Sequence, residues 1–483
     1  MSRQKDLIKN TLVIAFGKLS TQFLTFLLLP LYTTYLAASE FGTVDLVLTY
    51  TALLAPIITI SLEMGVFRFL IDARSNSERQ IRVISTAMRL VLGGVAAISL
   101  LYFVVSSFVT IPYGLYALGA IVAIIFSNLF LQIARGFGDN VKFSIGGVVA
   151  GVTTIATNIL FIVVMGMGAS GMLLAVILAN IACALYLFVA LRLYRYVDLG
   201  LQDGKLTREL LGYSAPLVPN GVSWWLINAA DRTIISIFLG VAANGIYAVA
   251  YRFPMIFSGL FSFFGMSWTE SASVHINSPD RDKFFSQTMN VSVKLFGSLG
   301  LVMIAGVPLV FTLIVGKGFH EAYLYIPILI IGSFFNSVVG LYSAIYIAKK
   351  LTRQVMNTSV IAASVSIVTT LIGIHYIGLF APAIAMAVAF LAMGIYRHHD
   401  MKKYVTITYD ARMFLLLAMM CCLVVALYYF NDPAFNLLNV LLVVAFVLIF
   451  NRSIVSVVRK KLLSRHKLSP EQQVAEEIEE GLR

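Results

Sequence analysis

Charge is what this chain has least of. Asp, Glu, Lys and Arg make up 12% of its residues, where soluble domains carry about a quarter. That scarcity excludes a water-soluble fold for most of the 483 residues. Cysteine is scarce too. Cys183, Cys421 and Cys422 all lie in apolar segments, so neither a disulfide framework nor a cysteine metal site is expected. The sequence has no glycine loop ending in Lys-Ser or Lys-Thr, no histidine pair one helical turn apart and no nucleophile elbow. Intrinsic nucleotide hydrolysis and covalent catalysis are therefore not expected, nor is a cofactor. The net charge of +12 does not point to nucleic acid, because the basic residues are scattered between apolar segments instead of forming one patch.

What is present is apolar length. Hydrophobic residues reach 59% and the mean hydropathy is +0.90. A crossing helix needs about 20 apolar residues. Fourteen segments qualify: 10–32, 43–64, 83–108, 113–134, 143–165, 171–191, 213–239, 243–268, 289–315, 321–348, 355–376, 379–396, 412–430 and 433–451. Basic residues order them. With the N-terminus cytoplasmic, Arg74, Arg79, Arg82, Arg135, Lys142, Arg192, Arg195, Lys205 and Arg208 all fall on that side. So do Arg281, Lys283, Lys349, Lys350, Arg353, Arg397, Lys402, Lys403, Arg412 and the basic C-terminal stretch, leaving only Lys317 opposite. This agrees with the positive-inside rule at every loop and predicts both termini in the cytoplasm. Arg3, Lys5 and Lys9 before an apolar run imitate a signal peptide, but residues 11–31 are too long for its apolar core and contain Lys18. They read as an uncleaved first span.

The fold class expected is an all-α polytopic membrane protein of about fourteen transmembrane helices. Residues 1–197 form a first six-helix bundle, 198–212 a cytoplasmic linker and 213–400 a second six-helix bundle. Two additional helices fill 401–452, and 453–483 is a cytoplasmic tail. The halves echo each other. Phe41-Gly42-Thr43-Val44 opens span 2 and Asn244-Gly245-Ile246-Tyr247 opens span 8, each in a proline-bearing helix (Pro56; Pro254). Such an echo suits a pseudo-twofold repeat transporter. In the tail, Ser469-Pro470-Glu471-Gln472 reads as a helix start, with Val474, Ile478 and Leu482 on one face.

The informative residues are charges inside the spans. A charge at bilayer depth costs about 3 kcal/mol on insertion scales, so it persists where it faces a wet cavity or a partner. Asp231 and Arg232 stand side by side in the outer half of span 7. Asp45 lies near the external end of span 2 and Arg252 about ten residues into span 8. Lys18 lies in the cytoplasmic half of span 1, Lys294 in the cytoplasmic part of span 9, and Glu270 closes span 8. Cations exceed anions at several depths, which suits an anionic substrate such as a phosphate, bound by Arg as a fork and by Lys as a point charge. Simpler readings stand beside this one. Lys18 and Lys294 can snorkel to the interface. Asp45 can be interfacial, Glu270 a loop-edge residue, and Asp231, Arg232 and Arg252 members of interhelical ion pairs.

Asp231-Arg232-Thr233-Ile234-Ile235, Phe238-Leu239-Gly240 and Gly245-Ile246-Tyr247-Ala248-Val249-Ala250-Tyr251-Arg252 closely resemble the central signature of polysaccharide transporter proteins. These are the oligosaccharide-lipid flippases of O-antigen, capsule and exopolysaccharide synthesis, within the multidrug/oligosaccharidyl-lipid/polysaccharide exporter superfamily. Leu29-Pro30-Leu31-Tyr32, Glu40-Phe41-Gly42 and Arg135-Gly136 are similar to that family as well. The resemblance implies two six-helix bundles around a central cationic cavity. It implies an undecaprenyl-diphosphate-linked oligosaccharide carried to the outer leaflet of the plasma (inner) membrane, for cell-surface polysaccharide or lipopolysaccharide synthesis. A polysaccharide polymerase and glycosyltransferases are the expected protein partners.

On this reading Arg232, Arg252, Lys18 and Lys294 bind the diphosphate or glycan. Asp231, Asp45 and Glu270 balance charge or carry a coupling proton or sodium. Two alternatives stay open. A cation-coupled multidrug or lipid exporter of the same superfamily would favour acidic cavity residues. A membrane glycan polymerase or glycosyltransferase would place catalytic residues in a large external loop, which this chain lacks.

Overall fold

The computed structural model describes residues 26–452, apart from 199 and 202. Among these residues all regular structure is helical. In hydrocarbon every backbone polar group must bond within its own segment, and for an apolar run the helix achieves this.

A short helix α1 (Leu29–Tyr35) has Pro30 in its first turn, where the missing N–H would have had no partner anyway. It leads into α2 (Ala38–Ile58), whose start is capped by Glu40: the carboxylate accepts from the backbone N–H of Ala37 at 2.9 Å. Helix α2 stops at Ile60 and Ser61, non-glycine residues with φ of 54° and 52°. Then follow α3 (Leu62–Asp72), α4 (Ser77–Ser106), α5 (Gly114–Phe137), α6 (Asn140–Asn158, continued by a π-helical stretch Ile159–Val164) and α7 (Gly168–Ala190). A short helix α8 (Gly204–Ser214) lies between the halves. The second half holds α9 (Leu217–Phe238), α10 (Val241–His275), α11 (Arg281–Ile314), α12 (Ile326–Ala348, entered through a 3-10 segment Lys317–Tyr325), α13 (Thr352–Ile377) and α14 (Phe380–Met401). Helices α15 (Ala411–Phe430) and α16 (Pro433–Phe450) end the described chain.

Twelve of these helices are long and apolar enough to cross a membrane, and they coincide with expected spans 2 to 6 and 8 to 14. The expected seventh span corresponds to α9, which has the length, 22 residues, but falls outside the twelve. It is the helix that carries Asp231 and Arg232. Most of the expected first span, with Lys18, and the expected tail helix lie outside the described residues.

We call the end of the bundle that carries the Arg- and Lys-rich connections the basic side, and the opposite end the far side. The cores differ between the two. On the basic side each half has its own. Leu62, Val66, Leu70, Val83 and Ile133 pack in the first half, and Trp268, Phe285, Tyr342 and Met401 in the second. On the far side one core runs through both, with Leu29, Tyr32 and Phe41 packed among Tyr247, Phe253 and Phe319. Gly42 and Gly245 show how close the halves come there. Each is the fifth residue of its helix. A Cβ on Gly42 would strike the carbonyl of Val241, and one on Gly245 the carbonyl of Ala38. The contact is reciprocal, as at a twofold axis, and small residues are what allow two helix backbones to approach so closely.

The linker is tied to the first half. Ser85 Oγ donates to the Tyr196 carbonyl (3.1 Å) and accepts from the Asp198 N–H (2.8 Å), and Arg89 donates to the Leu201 carbonyl (2.9 Å). Helix α8 packs Leu206 and Leu210 into the first-half core. The two extra helices belong to the second half. Tyr323 and Tyr428 stack at 4.2 Å and exchange hydrogen bonds to each other's carbonyls. Asn290 bonds the Thr408 carbonyl and the Asp410 N–H. Asn451 reaches Ser298 at 2.8 Å.

One basic residue departs from its expected loop position. Arg397 is 1% exposed, because α14 runs on to Met401. Its guanidinium donates to Thr358, Ser343 and Ser359 and to the carbonyls of Val339 and Val355. Neutral acceptors from α12 and α13 thus satisfy a buried cation and hold three helices together.

Candidate functional site

Four of the charges singled out in the sequence gather at the far-side seam. Asp45 comes from α2, Asp231 and Arg232 from α9, Arg252 from α10. Arg232 is 8% exposed. Its Nε donates to Asp45 Oδ2 at 2.9 Å, and its Nη1 lies 3.4 Å from Asp231 Oδ1. The backbone N–H of Arg232 also donates to Asp231 Oδ1, at 2.9 Å. Adjacent helix residues point about 100° apart, yet the Arg side chain is long enough to fold back onto its neighbour. Tyr251 places its ring 4.8 Å from the guanidinium. Asn244, fully buried, donates to Asp45 Oδ2 at 3.4 Å and to the Gly42 carbonyl at 3.1 Å. A buried guanidinium is stable only with such compensation, and deleting one partner of a buried pair costs about 3–5 kcal/mol.

Arg252 is held differently. Its guanidinium lies 5.9 Å from the centre of the Phe41 ring. It takes part in none of the ion pairs among the described residues. It is half-buried at the same seam.

The Arg232–Asp45 pair joins the two halves, and other contacts between them surround it. Trp225 Nε1 donates to the Thr49 carbonyl at 2.8 Å, and the Tyr50 and Thr233 hydroxyls meet at 2.9 Å. Phe26 packs on Phe253 and Phe41 on Phe319. Thr33 accepts from the Gly316 N–H at 3.0 Å. Leaving aside α8, whose Tyr213 meets Phe69, every hydrogen bond, ion pair and ring contact between the halves among the described residues draws its first-half partner from residues 26–50, in α1, α2 and the residues just before them. The seam is sealed at the far side.

Two further candidates, Lys294 and Glu270, lie elsewhere. Lys294 sits 4.6 Å from the centre of the Phe450 ring, beside α16. Glu270 is exposed near the basic end of α10. Asn244, Tyr50, Trp225 and Thr233 belong to the seam but carry no charge, so the cost of burying charge could not flag them. Asn244 did stand beside Gly245 in the repeat echo. No group of three His, Cys, Asp or Glu that could hold a metal occurs among the described residues.

One cavity touches the charges and a second lies apart from them in the second half. A small one of about 20 Å³ touches Asp231 and is lined by Tyr251, Ser366 and Thr370. That is room for about one water. A larger one of about 600 Å³ runs between α11, α12, α14 and α15. Its walls are apolar, including Leu301, Phe334, Phe390 and Leu417, and Tyr342, His398 and Tyr409 stand at its basic end. Those three are linked, with Tyr342 Oη 3.0 Å from His398 Nδ1 and 2.7 Å from Tyr409 Oη. Burial pushes the Tyr409 hydroxyl up to about 12, which keeps it neutral.

A family model described as polysaccharide biosynthesis protein matches residues 7–269. A sequence comparison with curated proteins finds no match. Solved structures do resemble the chain. One is the inward-facing conformation of a multidrug resistance MATE family transporter of the MOP superfamily, with TM-score 0.67 and 15% identity over 79% of this chain and 95% of that one. Another is the lipid II flippase MurJ, inward closed conformation, with TM-score 0.64 and 17% identity over 93% and 100%. An outward-facing conformation of a multidrug resistance MATE family transporter gives 0.52 and 16% over 82% and 96%. At these identities the likeness is one of fold.

Proposed function

The chain belongs to the polysaccharide biosynthesis protein family, and on that premise we propose that it is a flippase for a polyprenyl-diphosphate-linked oligosaccharide. One observation carries the reading: Arg232 and Arg252 lie at the seam of two helix bundles that are sealed at one end. The substrate is an anion with a long apolar tail. The seam offers cations to the diphosphate, and the cavity beneath α15 offers an apolar wall to the chain.

On this reading the basic side is cytoplasmic, both termini are cytoplasmic, and the membrane is the plasma (inner) membrane. The lipid enters from the basic side. The undecaprenyl diphosphate meets Arg252 and Arg232, with Lys18 supplying a further cation nearer the cytoplasm. The halves, 1–197 and 213–400, then rock so that the far side opens and the glycan reaches the outer leaflet for O-antigen, capsule or exopolysaccharide assembly. The greater likeness to the inward-facing exporter than to the outward-facing one supports a far side closed in this state. Asp231, beside a cavity with the Ser366 and Thr370 hydroxyls, is the candidate carrier of a coupling proton or sodium. Lys294 and Glu270 stand outside the seam and take no part. A polymerase and glycosyltransferases would supply and consume the lipid.

A drug exporter is the second reading, favoured by the fold likeness to MATE transporters. Two half-buried or buried arginines at the seam suit an anion better than a cationic drug. The test is flipping of a fluorescent polyprenyl-diphosphate oligosaccharide in proteoliposomes. Arg232→Ala and Arg252→Ala should each lower the rate at least about tenfold, the equivalent of about 1.4 kcal/mol. Unaltered rates in both would overturn the site.

A further inference from the structure

We propose that Asp45 is a resident counter-anion that latches the far side shut, and that an incoming diphosphate opens it by displacing Asp45 from Arg232. The inference rests on the flippase reading and adds the event that couples substrate binding to opening.

Arg232 has two carboxylate neighbours, and they are not equivalent. Asp231 is on the same helix and moves with Arg232. Asp45 is on α2 of the opposite half, and the 2.9 Å contact can exist only while the halves are together. Asn244 reinforces that state by donating to Asp45 from α10. The Asp45–Arg232 pair is thus an ion pair between the halves, set among neutral contacts such as Tyr50 with Thr233 and Trp225 with Thr49.

Carboxylate and phosphate oxygens are interchangeable acceptors for a guanidinium fork, and the dianionic diphosphate is the stronger one. Exchange leaves Arg232 with an anion throughout, so no bare buried cation appears. Asp45 loses its partner and returns to water with its own half. An anion that binds Arg232 only in the parted arrangement shifts the equilibrium by its differential affinity. Without substrate the carboxylate holds the seal, which suppresses empty opening. Arg252 forms no such ion pair among the described residues, so it is the cation available to capture the diphosphate first.

The test uses the full chain with Cys183, Cys421 and Cys422 replaced by Ser. Spin labels are placed at Val164→Cys and Tyr376→Cys, exposed at the far ends of α6 and α13 in opposite halves. Inorganic pyrophosphate is the probe. Wild type should show a short distance that lengthens with pyrophosphate. Asp45→Asn should be long without it, with the open-to-closed ratio raised at least about tenfold, and Asp45→Glu should restore the short distance. A closed Asp45→Asn protein beside a wild type that opens with pyrophosphate would overturn the latch and leave the diphosphate reading standing. An open Asp45→Asn protein beside a wild type indifferent to pyrophosphate would overturn the displacement step and the diphosphate reading together.

Discussion

Helices α2 and α10 hold the same place in the two halves, and they have diverged where it counts. Gly42 and Gly245 share a register and touch. Three residues beyond, the first half has Asp45 and the second Ala248; four further on, the first has Thr49 and the second Arg252. One member of the pair has kept an acid and the other a cation. Beyond that the backbones part too: α2 breaks at Ile60 and Ser61, whereas α10 runs unbroken for 35 residues. The common shape lets the halves meet as twofold mates. The divergent charges make the meeting one acid of the first half against two cations and one acid of the second. A strictly symmetric pair would set like against like and repel.

That comparison can be broken most severely at the glycines. Gly42→Leu places a side chain against the Val241 carbonyl, and overpacking a tight contact costs about 1–3 kcal/mol or more. The expected outcome is loss of flipping with the far-side label distance lengthened, and Gly245→Leu should match it. A large asymmetry between the two would show that the contact is not a twofold one.

Charge reversal comes next. Asp45→Arg sets two guanidiniums together and should lower stability by about 3–5 kcal/mol. The swap Asp45→Arg with Arg232→Asp should recover much of that loss in thermal melts. It should not recover flipping, since Arg232 is the proposed ligand.

A smaller effect is expected away from the seam. Arg397→Ala strips α12 and α13 of a shared donor and should cost about 1–3 kcal/mol. Far-side distances should stay unchanged, because the residue lies within one half. The smallest concerns the break in α2. A non-glycine left-handed residue costs about 1–2 kcal/mol, so Ser61→Gly should raise the melting temperature slightly. The same change at Phe264, in unbroken α10, removes its ring contacts with Phe261 and Phe296 and should lower the melting temperature instead.

Much of the architecture was legible residue by residue. An apolar run of some 20 residues has one stable outcome in hydrocarbon, and twelve runs took it. Asp231 and Arg232 drew notice for the same reason, since charge at that depth demands a partner. The partner itself was illegible. Asp45 lies 187 residues from Arg232, and nothing local distinguishes it from an interfacial acid. Lys294, read as a possible ligand, proved to rest near the Phe450 ring on a helix outside the repeat. By sequence Arg397 is a loop residue, because an arginine normally ends an apolar run. Its acceptors, Ser343, Thr358 and Ser359, come from two other helices.

The sequence by itself determined that this chain is a bundle of membrane helices, which segments form them, and that a few buried charges need company. Those outcomes depend on the local balance of apolar length against polar cost, which each segment carries within itself. Tertiary structure alone decided which charges met, which half each rested on, and that they met where the bundle is sealed. Pairing depends on the packing of helices whose paired residues lie 187 apart in sequence, and it was the close crossing at Gly42 and Gly245 that brought Asp45 within reach of Arg232.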